Sequence, residues 1–405
     1  MGIKIADIPE AEANLSHQDK KTRKQALEYL GSISDRELLR EHIIQTSCDI
    51  VNLHGHTIYS YNPFGWSPGE FIWRLKKLGA THAGIVEFDV LDGLLESYEA
   101  GKLLDMPTVV GTETRTYVPD LEDKVINSPG EAGVSYAMGH AIPRKPLPGS
   151  PQGIFLKNLQ DIARNRNLEI LKRVNDHLEE PGQINYEDDV LTSTPCGNAT
   201  ERHMVEAYEK KVRVYFKEDT KDIIAYWAEK LDVNESDVQK VINDKPGLYK
   251  IIRAKLMKAG GPGYIKAEPK SFPLIVDYFS WVESCGGVPV MTWLNGISEG
   301  EKDPRELFEF YKSQGAEALN IIPHRNYIHD IQPGWPEGDE LFANLQAAIE
   351  AAKELRLPIS FGTELNAANN PVIDDWFGHA LARYRKLALR GAEFFYTHLQ
   401  KAQKE

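Results

Sequence analysis

Asp49-Ile50-Val51-Asn52-Leu53-His54-Gly55-His56 decides how the rest of the chain is read. Residues 49–53 form a short strand-like run, and two histidines stand two apart at its C-terminal end. In a strand, residues i and i+2 point to the same face, so two such imidazoles can grip one divalent cation. Parallel α/β barrels place their active sites at that end of their strands. The spacing alone is a modest signal, because two hydrogen-bonded loop histidines would look the same.

Working outward, 71–78 reads as a helix opened by Ser67, with Pro68 in its first turn. Residues 83–86 read as a strand, 91–104 as a helix and 108–110 as a strand, followed by a long loop over 117–137 that closes on a short strand-like piece, Tyr136-Ala137-Met138-Gly139. From 151 to 270 the chain is polar and helical, with candidate helices at 151–178, 200–213, 219–231, 235–244 and 247–258. Gly260-Gly261-Pro262-Gly263 breaks that block. Alternation then resumes with helix 273–284, strand 287–291, helix 304–314, strand 317–322, helix 339–355 and strand 358–361. Alternating strands and helices on both sides of a helical block predict an α/β barrel interrupted by an insertion. The expected units are an N-terminal helical arm (1–48), a barrel in two parts (49–150 and 271–405, ending in a helix) and an all-helical insertion (151–270). The arm carries Ala26, Leu27, Leu30, Ile33, Leu38 and Leu39 at roughly helical spacing. It reads as a helix packed on its own domain or as the contact of a homo-oligomer.

The 405 residues, 41% of them hydrophobic, suffice for a large core. A formal net charge of −13 disfavours duplex nucleic acid and anionic membranes. Lys172-Arg173 and Lys210-Lys211 are short pairs that read as solvated helix faces. Cys48, Cys196 and Cys285 are too few and too scattered for a disulfide framework. No apolar run approaches the ~20 residues of a membrane span, and 1–48 offers no apolar signal core. A cytoplasmic protein with no membrane partner is expected.

Successive strand ends deliver further ligand-type residues: Glu87-Phe88-Asp89, then Gly111-Thr112-Glu113. Asp89 also suits the cap of the following helix. Glu113 reads as a ligand, because Gly111 lets the backbone pass closely. His140 follows the piece 136–139, and His203 lies at the start of a helix. Either would ordinarily be structural, and their weight comes from the set.

Taken in order, these pieces resemble the polymerase and histidinol phosphatase (PHP) family. Its HxHT motif with a following serine is matched by His54-Gly55-His56-Thr57-Ile58-Tyr59-Ser60, and its second motif by Val86-Glu87-Phe88-Asp89-Val90-Leu91-Asp92-Gly93. Gly111-Thr112-Glu113, His140, Glu201-Arg202-His203-Met204-Val205, 286–293 and Gly362-Thr363-Glu364-Leu365-Asn366 match later elements. The resemblance runs from 50 to about 370. It implies a distorted seven-stranded β/α barrel holding divalent metals and hydrolysing phosphate esters. Four positions depart: Tyr61, Phe88, Trp293 and Asn366 stand where the family has ligand-type residues. In the family the residues that stand at the positions of Tyr61, Phe88 and Asn366 tend to serve one and the same metal, so one or two metals are expected rather than three. Glu87 and Glu364 replace aspartates.

The implied ligands are therefore His54, His56, Glu87, Glu113, His140, His203 and Glu364. His54, His56, Glu113 and Glu364 would surround one metal, while Glu113, His140 and His203 would hold a second. Mixed imidazole and carboxylate donors suit zinc, manganese or iron. Such a metal lowers the pKa of a bound water to about 7, supplying hydroxide. Arg115, Arg202 and Arg325 are candidates for holding a small anionic substrate. Arg115, His324 and His329 are the candidate catalytic groups, the histidines as general acids. The expected function is a metal-dependent hydrolase, most simply a phosphoesterase. Hydrolysis of an amide or cyclic substrate and a degenerate ligand-binding barrel are the competing readings.

Overall fold

β1 (Ile50–Gly55) is buried at every position, which is why its sequence runs apolar rather than alternating. It opens a seven-stranded sheet whose spatial order follows the chain: β1, β2 (Ala80–Phe88), β3 (Thr108–Tyr117), β4 (Val134–His140), β5 (Val288–Trp293), β6 (Ala318–Ile321) and β7 (Ile359–Phe361). The computed structural model describes residues 5–268, 271–327 and 338–404. β1, β2 and β3 are mutually parallel, as are β5, β6 and β7. β4 runs antiparallel to both its neighbours. The reason is the connection: no helix spans 118–133, and without a crossover helix the chain must turn back. Just beyond β7, Glu364 bridges Gly55 in parallel register, with His56 N–H donating to Glu364 O at 2.8 Å. That bridge closes the sheet into a distorted barrel.

The strands exceed their sequence-based bounds on the β4 side. β3 continues to Tyr117 and β4 begins at Val134, both inside the expected strand gap and loop. Polar Thr112, Thr114, Arg115 and Thr116 hide the extension, because this part of β3 faces the barrel mouth rather than an oily core.

α1 (Ile8–Asn14), α2 (Lys20–Gly31) and α3 (Asp35–Arg40) form the arm. Ala11, Leu15, Ala26, Leu27, Leu30 and Leu38 join the same apolar core as the barrel strands. Arg23 forks onto Glu96 with two 2.7 Å bonds. The arm's apolar face is thus used within the chain. α4 (Pro68–Lys77) starts where Ser67 Oγ accepts from Glu70 N–H, and α5 (Leu94–Leu103) packs against β3, α4 and α2.

The insertion holds α6 (Pro151–Leu178), α7 (Glu201–Tyr215), α8 (Thr220–Leu231), α9 (Glu235–Val241) and α10 (Lys245–Met257). It has a separate core, including Trp227, Tyr208 and Leu256. It touches the barrel at the strand ends: Asn198 Nδ2 donates to Phe88 O at 2.7 Å, and Cys196 Sγ donates to Tyr59 O at 3.4 Å. α11 (Ile275–Ser284), α12 (Pro304–Ser313), α13 (Gly338–Glu354) and α14 (Arg385–Ala402) complete the barrel's outer layer. Among the described residues no helix is long and apolar enough to cross a membrane.

Candidate metal centre

His54, His56 and Glu113 converge from the ends of β1 and β3. One ligand atom from each lies within 4.8 Å of the other two, and all three side chains are buried. His54 Nε2 is 3.4 Å from Glu113 Oε2, and His56 Nε2 is 3.1 Å from Glu113 Oε1. Neither nitrogen is aligned for a hydrogen bond, and both are sealed from solvent without a partner. Buried polar atoms are rarely left so.

The far side of each ring explains why. His54 Nδ1 lies 3.3 Å from Asn320 Oδ1 on β6, an acceptor that requires the proton on Nδ1. His56 Nδ1 lies 2.9 Å from Ser60 Oγ, whose own hydroxyl donates to Glu87. Ser60 therefore accepts from His56. In the neutral tautomers that these partners select, both Nε2 lone pairs would face the Glu113 carboxylate, the arrangement in which histidine binds metal. Burial disfavours charge on His56, but Glu113 and Glu87 outweigh it and push its pKa up to about 9. Burial pulls His54 down despite Glu113. The donor set fits a divalent cation, whose uptake would displace a proton from His56.

Glycines make this convergence sterically feasible. A Cβ on Gly55, between the two histidines, would come within 2.4 Å of the Phe71 ring. A Cβ on Gly111 would come within 2.1 Å of the Gly139 carbonyl, so β3 and β4 can approach here only through glycine. Three strand-end residues without that freedom, Asp89, Ala141 and Glu364, have positive φ of 57°, 55° and 57°. Backbone strain of this kind collects at functional sites.

The structure does not bring the other expected ligands into this group. Both Glu87 oxygens are engaged by Thr57 and Ser60, so it braces the loop after His56. Glu364 Oε2 accepts from Arg325 at 2.6 Å. Although burial opposes its charge, Arg325 and His54 hold its pKa at about 2. His140 Nε2 donates to Leu53 O at 2.9 Å, and its Nδ1 is buried without a partner. Burial and the nearby His54 lower its pKa to about 3. His203 Nδ1 accepts from Thr200 N–H at 3.1 Å, which makes it part of the α7 cap, and its ring meets Tyr61 edge-on at 5.0 Å. Among the described residues, no second three-donor group forms.

The proposed acids fare similarly. His324 Nε2 is 2.8 Å from Asn370 Nδ2, and burial beside Arg325 lowers its pKa to about 4. That shift disfavours the imidazolium that a general acid would use. His329 lies outside the described residues. Arg115 sits on β3 with Nη1 3.2 Å from Glu131 and its guanidinium 4.6 Å over Phe272. Arg202 Nη2 donates to Asn366 Oδ1 at 3.2 Å, with Tyr61 5.7 Å beneath its guanidinium. Phe88 stacks on His56 at 4.3 Å. The Trp293 indole turns to the carbonyl of Glu301 at 3.4 Å. At the mouth, an arginine thus stands between Tyr61 and Asn366.

Sequence reading missed Asn320 and Asn52. Asn52 Oδ1 accepts from His54 N–H at 3.1 Å, and its Nδ2 donates to Thr363 Oγ1 at 2.7 Å. Each is a lone amide inside an otherwise apolar strand, and that was the available signal.

No family model matches the chain, and no curated protein does either. Among the solved structures similar to it are these two. One is from Bifidobacterium adolescentis, a protein provisionally assigned as a metal-dependent phosphoesterase. It is 18% identical, with a TM-score of 0.48, over 82% of this chain and 96% of that one. The other is an amidohydrolase from Chromobacterium violaceum with bound sulfate and no metal. It is 16% identical, with a TM-score of 0.48, over 82% of this chain and 96% of that one.

Proposed function

We propose that the chain is a metal-dependent hydrolase that cleaves a phosphate ester of a small anionic substrate. The observation that carries this reading is the pair of buried, unpartnered Nε2 atoms of His54 and His56 converging on one carboxylate, Glu113. A divalent cation held there would supply Lewis acidity toward water and a phosphoryl oxygen.

The chain's own groups supply the rest. Asn320 and Ser60 fix the tautomers and planes of the two rings. Glu87 holds the turn after His56 through Thr57 and Ser60. Arg325, anchored on Glu364 and within electrostatic reach of Glu113, presents a guanidinium to an oxyanion beside the triad. Arg115 and Arg202 stand farther out along the mouth. The insertion, bound to the loops after β1 and β2 through Cys196 and Asn198, narrows access to water.

The test is a metal titration coupled to a phosphomonoesterase assay with zinc, manganese or iron. His54→Ala and Glu113→Gln are each expected to lose bound metal and at least about a hundredfold in kcat/KM. Less than one tightly held metal per wild-type chain would leave a binding barrel without catalysis. Turnover of amides or lactones without phosphatase activity would replace the ester by another bond.

A further inference from the structure

The insertion does more than cover the mouth; it lines it with charge. Arg166 on α6 shares Glu131 with Arg115 of β3, Arg253 on α10 and Lys258 just after it reach Glu201 beside Arg115, and Arg202 on α7 lies near the Glu364 that holds Arg325. Their compensating carboxylates are shared rather than matched. Glu131 accepts from both Arg115, at 3.2 Å, and Arg166, at 3.1 Å. Glu201 accepts from both Arg253, at 2.9 Å, and Lys258, at 2.7 Å. Arg202 has only a neutral amide, Asn366. Arg325 has Glu364, and Asp89 lies within reach of Arg115. Apart from the metal-site carboxylates, six cations therefore meet four acids in a chain whose overall charge is −13.

An excess of positive charge is costly where solvent is scarce. The Arg166 side chain is only 9% exposed, and its Nε is buried without a partner, as is Arg325 Nε. Burial and the neighbouring Arg253 bring Lys258 down to about 8, and burial with Arg253 brings Arg202 down to about 10. Both shifts come first from burial and then from a neighbouring cation. The cluster is continuous with the triad, since Arg202 feels Glu364, and Glu364 feels His54 and His56.

We infer that Arg253, Lys258, Arg166 and Arg115 form a second anion subsite, and that the substrate carries a second phosphate or carboxylate group besides the ester at the triad. This deepens the hydrolase reading and rests on it only for the fate of that ester. Among the described residues the four subsite cations face only Glu131, Glu201 and Asp89, which leaves the subsite short of negative charge, and guanidinium forks favour an oxyanion over a halide.

The subsite can be tested without any turnover. Metal-free full-length protein, titrated calorimetrically with inorganic phosphate, is expected to show one saturable site that weakens as salt rises. Lys258→Gln and Arg253→Gln should each raise its Kd about tenfold, one charge-assisted contact being worth about that much. Lys258 is 42% exposed, so its variant keeps the fold, which a thermal melt verifies. Absent phosphate binding, or binding untouched by both variants, overturns the proposal. After manganese loading, propane-1,3-diyl bisphosphate should bind at least tenfold tighter than phosphate. Equal affinities would assign the subsite to a separate anion and overturn the single-substrate inference. Failure of the metal reading shows separately, as manganese not retained by the same preparation.

Discussion

Asn320 donates nothing to the metal directly, yet it decides which nitrogen of His54 is free. Its Oδ1 faces His54 Nδ1 at 3.3 Å, and among the described residues no other hydrogen bond holds that ring. Replacing it with alanine leaves Nε2 and Nδ1 equally able to carry the proton. Asn320→Ala is therefore expected to weaken metal affinity about 10–100-fold, read by competition with a chromophoric chelator. Unchanged affinity would mean that the surrounding packing alone fixes the ring. The same scale shows what the sequence made legible. His54, His56 and Glu113 could be picked because strand ends and i, i+2 spacing are local properties. Asn320 could not be tied to His54, since the two lie 266 residues apart and meet only through sheet order. Glu87, His203 and Glu364 have the right chemistry in nearly the right place. Hydroxyl, cap and guanidinium partners claimed them, and no spacing rule reveals such competition.

At the scale of elements, β3 and β4 carry the greatest departure from expectation. Apolar alternation located β1, β2 and β5 to β7 to within a few residues. It cut β3 short because the outer half of that strand is threonine and arginine. The helices of the insertion were nearly all legible, α6 to the residue, because amphipathic spacing, Ser150 with Pro151 and the glycine break are local signals. The closeness of β3 to β4 yields a stability prediction. In Gly111→Ala the new methyl group meets the Gly139 carbonyl, which is backbone and cannot rotate away. The variant should lose about 3 kcal/mol or more of unfolding free energy, at or beyond the upper end for overpacking. Denaturant melts would show this as a lower midpoint with the same slope. A loss below about 0.5 kcal/mol would show that the two strands can separate there at little cost.

Across the whole molecule, buried carboxyls make stability depend on pH in an unusual direction. Burial raises Asp374 from 3.8 to about 7, with the Tyr327 hydroxyl, 2.8 Å away, working against the shift. A raised carboxyl pKa means that the folded state holds a proton the unfolded chain has released. The stability it contributes is present below pH 3.8 and is lost as pH climbs through about 7. Its neighbour His324 titrates near 4 and is silent across the upper part of that window. Asp374→Asn removes the ionisation while keeping an acceptor for Tyr327. Between pH 5.5 and 8 the variant should gain on the order of 1–2 kcal/mol relative to wild type. A difference that stays constant over this range, measured by chemical denaturation, would mean Asp374 is already ionised at pH 5.5.

The bridge between Gly55 and Glu364 also governs the order of events during synthesis. All three side chains of the candidate metal centre have been synthesised once Glu113 is made. The wall that encloses them is completed only by a segment that hydrogen-bonds across 311 residues, from Asn52 to Thr363. Loop closure over such a distance costs only about 2 kcal/mol more than over one tenth of it, because the entropy grows logarithmically. Time is therefore the larger constraint than free energy: at roughly 5–20 residues per second, the half-built barrel waits many seconds with its histidines open to whatever ions the surroundings offer. Which ion such a site would finally enclose would then depend on exchange before the last strand docks as well as on the affinity of the finished site.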